Sequence, residues 1–407
     1  MATIGFGTYR VSDDNPEHIQ AIRMAVEAGV RLIDTSANYM DGRAERAVAA
    51  ALRFMDGEAP DGVEIISKFG YIQGSTMARL QNGETFEEVV EFAPHVFHCI
   101  HPDFMRDQLD RSLERLQRAS MGCYLIHNPE YFLLDALNRG RELKETLDEM
   151  NDRIYRVFAA LESEVAAGRI DGYGISSNSF AKAPSDPEFL PYEGLVALAS
   201  HAAERAGNAR HHFTTLELPI NLLEREGLQC ARWAKSHGLR VLANRPLNAV
   251  YGGQMYRLAD YPPSETYETH LNELLLLCSD EALGSLRNLV MQLDGMRHRF
   301  SWVGKYESFL YGEVVPYIRN VLFSLEEGGR AGIAQRIALF LDAYGGTVAH
   351  ECSRKIRQAF PEKLEGCGEA LQTCALEFLV AQPDVDVVLL GMRKPRYVAQ
   401  IAAYFSL

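Results

Sequence analysis

Apolar residues along this chain fall into short unbroken runs, separated by longer stretches whose apolar positions recur three and four apart. The runs IGFG, RLID, VEIIS, CYLIH, GYGIS, TTLEL, RVLAN and DVVLLG lack the strict alternation of a half-buried strand. They read as strands covered on both faces, the pattern of a parallel sheet. After the first run, Ser12, Asp13, Asp14 and Asn15 precede Pro16, which suits a helix start, and Gly29 ends that helix. The spacing predicts further helices at about 42 to 55, 102 to 119, 152 to 167, 194 to 206, 226 to 236 and 370 to 381, and a closing one from about 395. Eight strand–helix alternations predict an α/β fold of the closed (β/α)8 TIM-barrel type. In such barrels the chemistry sits on loops at the strands' C-terminal ends.

Three segments exceed a minimal barrel. Those from about 70 to 101 and about 128 to 151 are expected to extend loops on the catalytic face. The largest, 249–368, carries Leu271, Leu274, Leu275 and Cys278, and later Ile333, Ile337, Phe340 and Leu341, at helical spacing. It is expected to be a helical subdomain inserted on the catalytic face, with 1–248 and 369–407 forming the barrel. Its apolar faces need cover, and both a lid and a homo-oligomer interface are compatible with that.

Composition narrows the class. The chain has 407 residues, 47% hydrophobic and 24% charged, within the ordinary globular range. Its formal net charge of -14 disfavours nonspecific nucleic-acid binding, because a phosphate backbone repels an acidic surface. No apolar run approaches the ~18 residues of a membrane span, and the first residues lack a signal pattern. A cytoplasmic protein is expected, and the 7 cysteines, without a CxxC pair, are read as reduced thiols. Cys367 and Cys374 are expected to be small core side chains on one helix face.

Four polar residues close or follow the early runs: Asp34, then Tyr39 in the next loop, Lys68, and His127. A phenol with a pKa near ~10 donates its proton poorly at neutral pH, so Tyr39 needs a cation beside it, itself held by a carboxylate. Lys68 and Asp34 supply these, and His127 can donate to a carbonyl oxygen. Singly, each has a blander reading as cap, solvated charge or core histidine. Their joint occurrence at strand ends is what carries the signal. His98, Cys99 and His101 include metal-ligand types, but one local cluster without a second pair is read as pocket lining, and no metal is expected.

With GFGTYR, DTSANY, ISK, LIHNPE, GYGISSNSF, ANRPL and VVLLGMRKP in this order, the chain resembles the aldo-keto reductase superfamily. The resemblance covers about 1 to 248 and 369 to 407. It implies reversible reduction of a small-molecule aldehyde or ketone by NADPH, with Tyr39 as general acid, Asp34 and Lys68 tuning it, and His127 orienting the carbonyl. It further implies cofactor contacts from Ser177, Asn178, Glu217, Arg245, Leu247, Gly391, Arg393, Lys394 and Gln400. Two of these depart from the family pattern: Glu217 stands where many relatives have Gln, and Gln400-Ile401 where Glu-Asn often meets adenine. Pro219 or Ile220 also replaces the aromatic that stacks on nicotinamide. The competing reading is a non-catalytic, nucleotide-binding or regulatory barrel. Tyr71, His98, Tyr131, Phe132 and Tyr251 are candidate pocket residues by position.

Overall fold

The computed structural model describes residues 1–53, 62–324, 327–368 and 370–405. Eight parallel strands close a barrel: β1 Thr3–Gly7, β2 Leu32–Asp34, β3 Glu64–Phe69, β4 Met121–His127, β5 Ile170–Ser176, β6 Phe213–Pro219, β7 Arg240–Asn244 and β8 Val387–Gly391. Each strand pairs with its sequence neighbours, and β1 closes the ring on β8 with Gly7 opposite Gly391. Leu32, Ile66, Cys123, Leu125, Leu242, Val387 and Leu389 form a buried cluster drawn from five of these strands. That is why the runs are apolar without alternation: helices cover the outside while this cluster fills the inside. Between β5 and β6 the register slips at Gly174, where a Cβ would lie 1.9 Å from the Thr215 carbonyl oxygen. Only glycine admits that approach.

The expected helices form, with Asn15 capping the first through the Glu17 amide and Pro16 opening it. The helix expected from 42 is Arg43–Arg53, and the rest of that expectation lies outside the described residues. Two segments read as loops carry regular structure. Residues Tyr71–Ile72, Val90–Ala93 and Val96–His98 form a small antiparallel sheet, and a helix runs Gly74–Gln81. The stretch before 152 is also helical, over Tyr131–Asn138 and from Leu143 into the helix Leu143–Ala166. Charged residues dominate the start of that long helix, so an apolar stripe appears in the sequence only where Met150, Ile154, Val157 and Phe158 reach the core.

Two compact units emerge, 1–246 with 378–407, and 247–377. The second holds the hairpin Asn248–Tyr251/Gln254–Arg257 and helices that include Tyr267–Leu277, Gly284–Met296 and Glu327–Ala359. Its core contains Leu271, Leu274, Cys278, Ile337 and Phe340, with Leu275, Ile333 and Leu341 packed against it. Cys367 and Cys374 correct the reading of reduced thiols: they form a disulfide with Cα atoms 5.5 Å apart. Cys367 lies in a turn ahead of the helix Leu371–Val380, so the chain bends back instead of continuing one helical face.

Candidate functional site

Each of Asp34, Lys68 and His127 sits at the C-terminal end of its strand, and Tyr39 follows in the loop after β2. That loop turns sharply because Met40, Asp41 and Gly42 all take positive φ, of 50°, 56° and 76°. Such a conformation in two non-glycine residues is strained and needs external support. Asp41 supplies it by accepting from the Ser75 amide (3.0 Å) and hydroxyl (2.7 Å), and the Ala37 amide donates to the Lys68 carbonyl (3.1 Å). The phenol of Tyr39 is thereby brought to the Lys68 ammonium, which donates to it over 3.4 Å.

Lys68 is the hub of the site. Its side chain is 0% exposed and forms a short ion pair with Asp34, donates to the Thr35 carbonyl (3.2 Å) and lies 3.2 Å from Glu217 Oε2. Burial opposes its charge, yet the two carboxyl groups hold its pKa well above the ordinary value. Asp34 is pushed up to about 8 by burial and then by the Glu217 charge, against the pull of Lys68. For Tyr39, burial outweighs the ammonium and raises the pKa. The expected downward pull of Lys68 is present, but it does not set the net direction.

His127 is buried, and its Nδ1 lies 3.2 Å from Ser36 Oγ. Burial, then the nearby Lys68 charge, hold it well below its usual pKa, so it is neutral. The Ser36 hydroxyl also has Asn38 Oδ1 as an acceptor at 2.7 Å, and the tautomer that presents an N–H at Nε2 is the one in which the Ser36 proton goes to Nδ1. Its backbone carbonyl accepts from His98 Nε2 at 2.7 Å. This contact requires glycine at 70, with φ 145°, since a Cβ there would lie 2.4 Å from the His98 ring and 2.7 Å from the same carbonyl. Tyr71 stands edge-on to His127 with ring centres 4.8 Å apart, and its hydroxyl accepts from Asn128 (2.6 Å) and donates to Tyr131 (3.3 Å). Tyr71 and His98 therefore flank His127 as pocket candidates, with Tyr131 packed on both of them, and Cys99 and His101 turn elsewhere, to Glu87 and to the cap of helix Pro102–Leu116. Phe132 instead packs under Arg153, and Tyr251 belongs to the second unit, against Phe360.

The remaining sequence candidates fall on several strand ends, loops and the last helix. Ser177 Oγ donates to Glu130 Oε2 (2.9 Å), and the Asn178 amide donates to Glu130 Oε1 (3.1 Å) and Asn128 Oδ1 (3.2 Å). Glu217 faces Lys68 and accepts from Asn244 Nδ2 at 2.8 Å. Arg245, at φ 53°, pairs with Glu224 (2.6 Å), and Leu247 opens the second unit, its carbonyl bound by the Leu258 amide. Gly391 is exposed at the end of β8, where a Cβ would meet nothing closer than 4.0 Å. Arg393 is half-buried with its charge felt at His18, Lys394 caps the helix Pro395–Ile401, and Gln400 is exposed on that helix.

Sequence reasoning missed Glu130, Ser36 and Asn244 as members of this network. Glu130 is buried, and burial raises its carboxyl to about 7 against the bonds it receives from the backbone and Ser177. Its place inside LIHNPE, directly after the histidine motif, was the available signal.

The aldo/keto reductase family model matches residues 3–407. Member C1 of aldo-keto reductase family 1 from Macaca fuscata fuscata is 26% identical over 184 residues, 44% of this chain and 47% of that protein. Human member C3 is 25% identical over 185 residues, with the same shares of each. The chain thus spans about half the length of the curated relatives it matches. Among solved structures, the glycerol dehydrogenase AKR11B4 from Gluconobacter oxydans is 18% identical with a TM-score of 0.48, covering 99% of this chain and 86% of its own.

Proposed function

The chain belongs to the aldo/keto reductase family, and from that membership we propose that it is an NADPH-dependent oxidoreductase that reversibly reduces a small aldehyde or ketone to an alcohol. The observation that carries this reading is Lys68, fully buried, ion-paired to Asp34 and donating to the Tyr39 phenol. A buried cation aimed at a phenol has little structural purpose, since an apolar residue of the same volume would fill the space at least as well.

The rim offers fitting groups for the dinucleotide. Asn244 Oδ1 is a buried acceptor with no partner among the described residues, the kind of atom a carboxamide N–H satisfies. Ser177 and Asn178 follow β5, two strands along the barrel from β7, and Gly391 leaves room for backbone approach at the end of β8. Arg393 and Lys394 offer the charge a 2'-phosphate requires, with a guanidinium able to meet it in bidentate fashion. Bound NADPH supplies the hydride to the carbonyl carbon. Tyr39 gives its phenolic proton to the developing alkoxide, Lys68 steadies the resulting phenolate, and His127 donates to the carbonyl oxygen to orient and polarise it.

Following NADPH absorbance with a panel of aldehydes and ketones tests the reading. Turnover that disappears in Tyr39→Phe supports it. Nucleotide binding without turnover across the panel would place the protein with non-catalytic barrels instead.

A further inference from the structure

Resting on the reductase reading, we propose that Glu217 is a positioning residue for the proton chemistry: Glu217 and Asp34 hold Lys68 between two carboxyl groups that share one proton, and this biases the site toward reduction. Glu217 Oε1 accepts from Asn244, but Oε2, ion-paired with Lys68 at 3.2 Å, has no hydrogen-bond donor among the described residues. The side chain is only 2% exposed. Next to it lies the Asp34 carboxyl group, which pairs with the same Lys68 ammonium. Two carboxylates repel each other there, whereas one proton between them turns the same contact into a hydrogen bond.

Charge counting agrees. The groups facing this point are Asp34 from β2, Tyr39 from the following loop, Lys68 from β3, neutral His127 from β4, Glu217 from β6 and the uncharged amide Asn244 from β7. With both acids ionised the buried cluster carries one uncompensated negative charge, and with one shared proton it is neutral. The Asp34 value of about 8 fits retention of that proton at neutral pH.

The proton balance follows. In reduction the alkoxide takes the Tyr39 proton, Lys68 donates one to the phenolate across 3.4 Å, the carboxyl pair restores the ammonium, and solvent later restores the pair. In alcohol oxidation Tyr39 must start as phenolate. Above the pH at which the shared proton leaves, two carboxylates oppose its formation, which a neutral side chain at 217 would not do.

The test is Glu217→Gln in the full chain. Without cofactor, the tyrosinate absorbance band of Tyr39, taken as the difference from Tyr39→Phe in each background, should emerge about one to two pH units lower than in the wild type. The ascending limb of alcohol oxidation should shift acidward by a similar amount. Coincident curves for Glu217 and Gln overturn the proposal. Should the Gln variant not accumulate folded, Glu217→Met carries the same expectation. Absence of Tyr39-dependent turnover in the wild type would sink the reductase reading alone, because the absorbance titration still decides the role of Glu217.

Discussion

Two buried carboxylates in this barrel have opposite fates. Glu162, on the helix Leu143–Ala166, is 0% exposed, and both its oxygens are saturated. Oε1 accepts from the Tyr173 hydroxyl (2.9 Å) and the His212 amide (2.7 Å), while Oε2 accepts from Asn208 (2.6 Å) and the His212 ring (2.7 Å). Glu217 is almost as buried, but among the described residues one oxygen lacks a hydrogen-bond donor and shares Lys68 with a second acid. Burial and charge are common to both. What differs is completeness: a saturated carboxylate ties elements together, whereas an unsaturated one beside a mobile proton leaves room for chemistry.

The sharpest way to separate the two is to remove one group from each. Tyr39→Phe should lower kcat/KM by ~10²–10⁴, the usual worth of a general acid, while thermal unfolding and NADPH affinity stay close to wild type. Steady-state kinetics with parallel melting curves checks this. Glu162→Leu should do the reverse, costing about 2–5 kcal/mol of stability by stranding the Tyr173, Asn208 and His212 donors, with turnover per folded molecule unchanged. Denaturant titration reads that loss. If Glu162→Leu instead abolished turnover in folded protein, the distinction drawn between the clusters would collapse.

Arg393→Ala extends the comparison to the rim. It should weaken NADPH binding by about one to two powers of ten, matching ~1.5–3 kcal/mol for a charge-assisted contact, and leave NADH nearly unchanged. Equal losses for both cofactors in a fluorescence titration would show that Arg393 does not read the 2'-phosphate. The smallest effect is expected from Ser36→Ala, which removes the hydroxyl at His127 Nδ1. A two- to tenfold drop in kcat is anticipated, about the worth of one hydrogen bond. An unchanged kcat would mean that His127 keeps its orientation without Ser36.

The legible part of this molecule was whatever is local in the chain. Unbroken apolar runs announced the strands, and their polar ends announced Asp34, Lys68 and His127, because a barrel places every strand's C-terminal end on one rim. The contacts of Glu217 were not legible, since β6 meets Lys68 of β3 across the barrel interior and no spacing encodes that distance. Glu130 was hidden for the same reason, its partners Ser177 and Asn178 lying one strand further on. The sheet within residues 70–101 escaped notice because its strands are short, one of them the two residues Tyr71–Ile72. Pairing of Cys367 with Cys374 depended on a chain reversal that helical periodicity across the pair concealed.

Hydride transfer to a carbonyl carbon leaves an isotopic record in the alcohol. Wild-type protein is given NADPH carrying deuterium at both positions of the nicotinamide C4, together with an aldehyde found active in the panel, and the alcohol is analysed by mass spectrometry. Deuterium is expected on the carbinol carbon at close to one atom per molecule of product, with none when Tyr39→Phe replaces the wild type over the same interval. Tight nucleotide binding with no labelled alcohol from any carbonyl tried would rule out carbonyl reduction by this site.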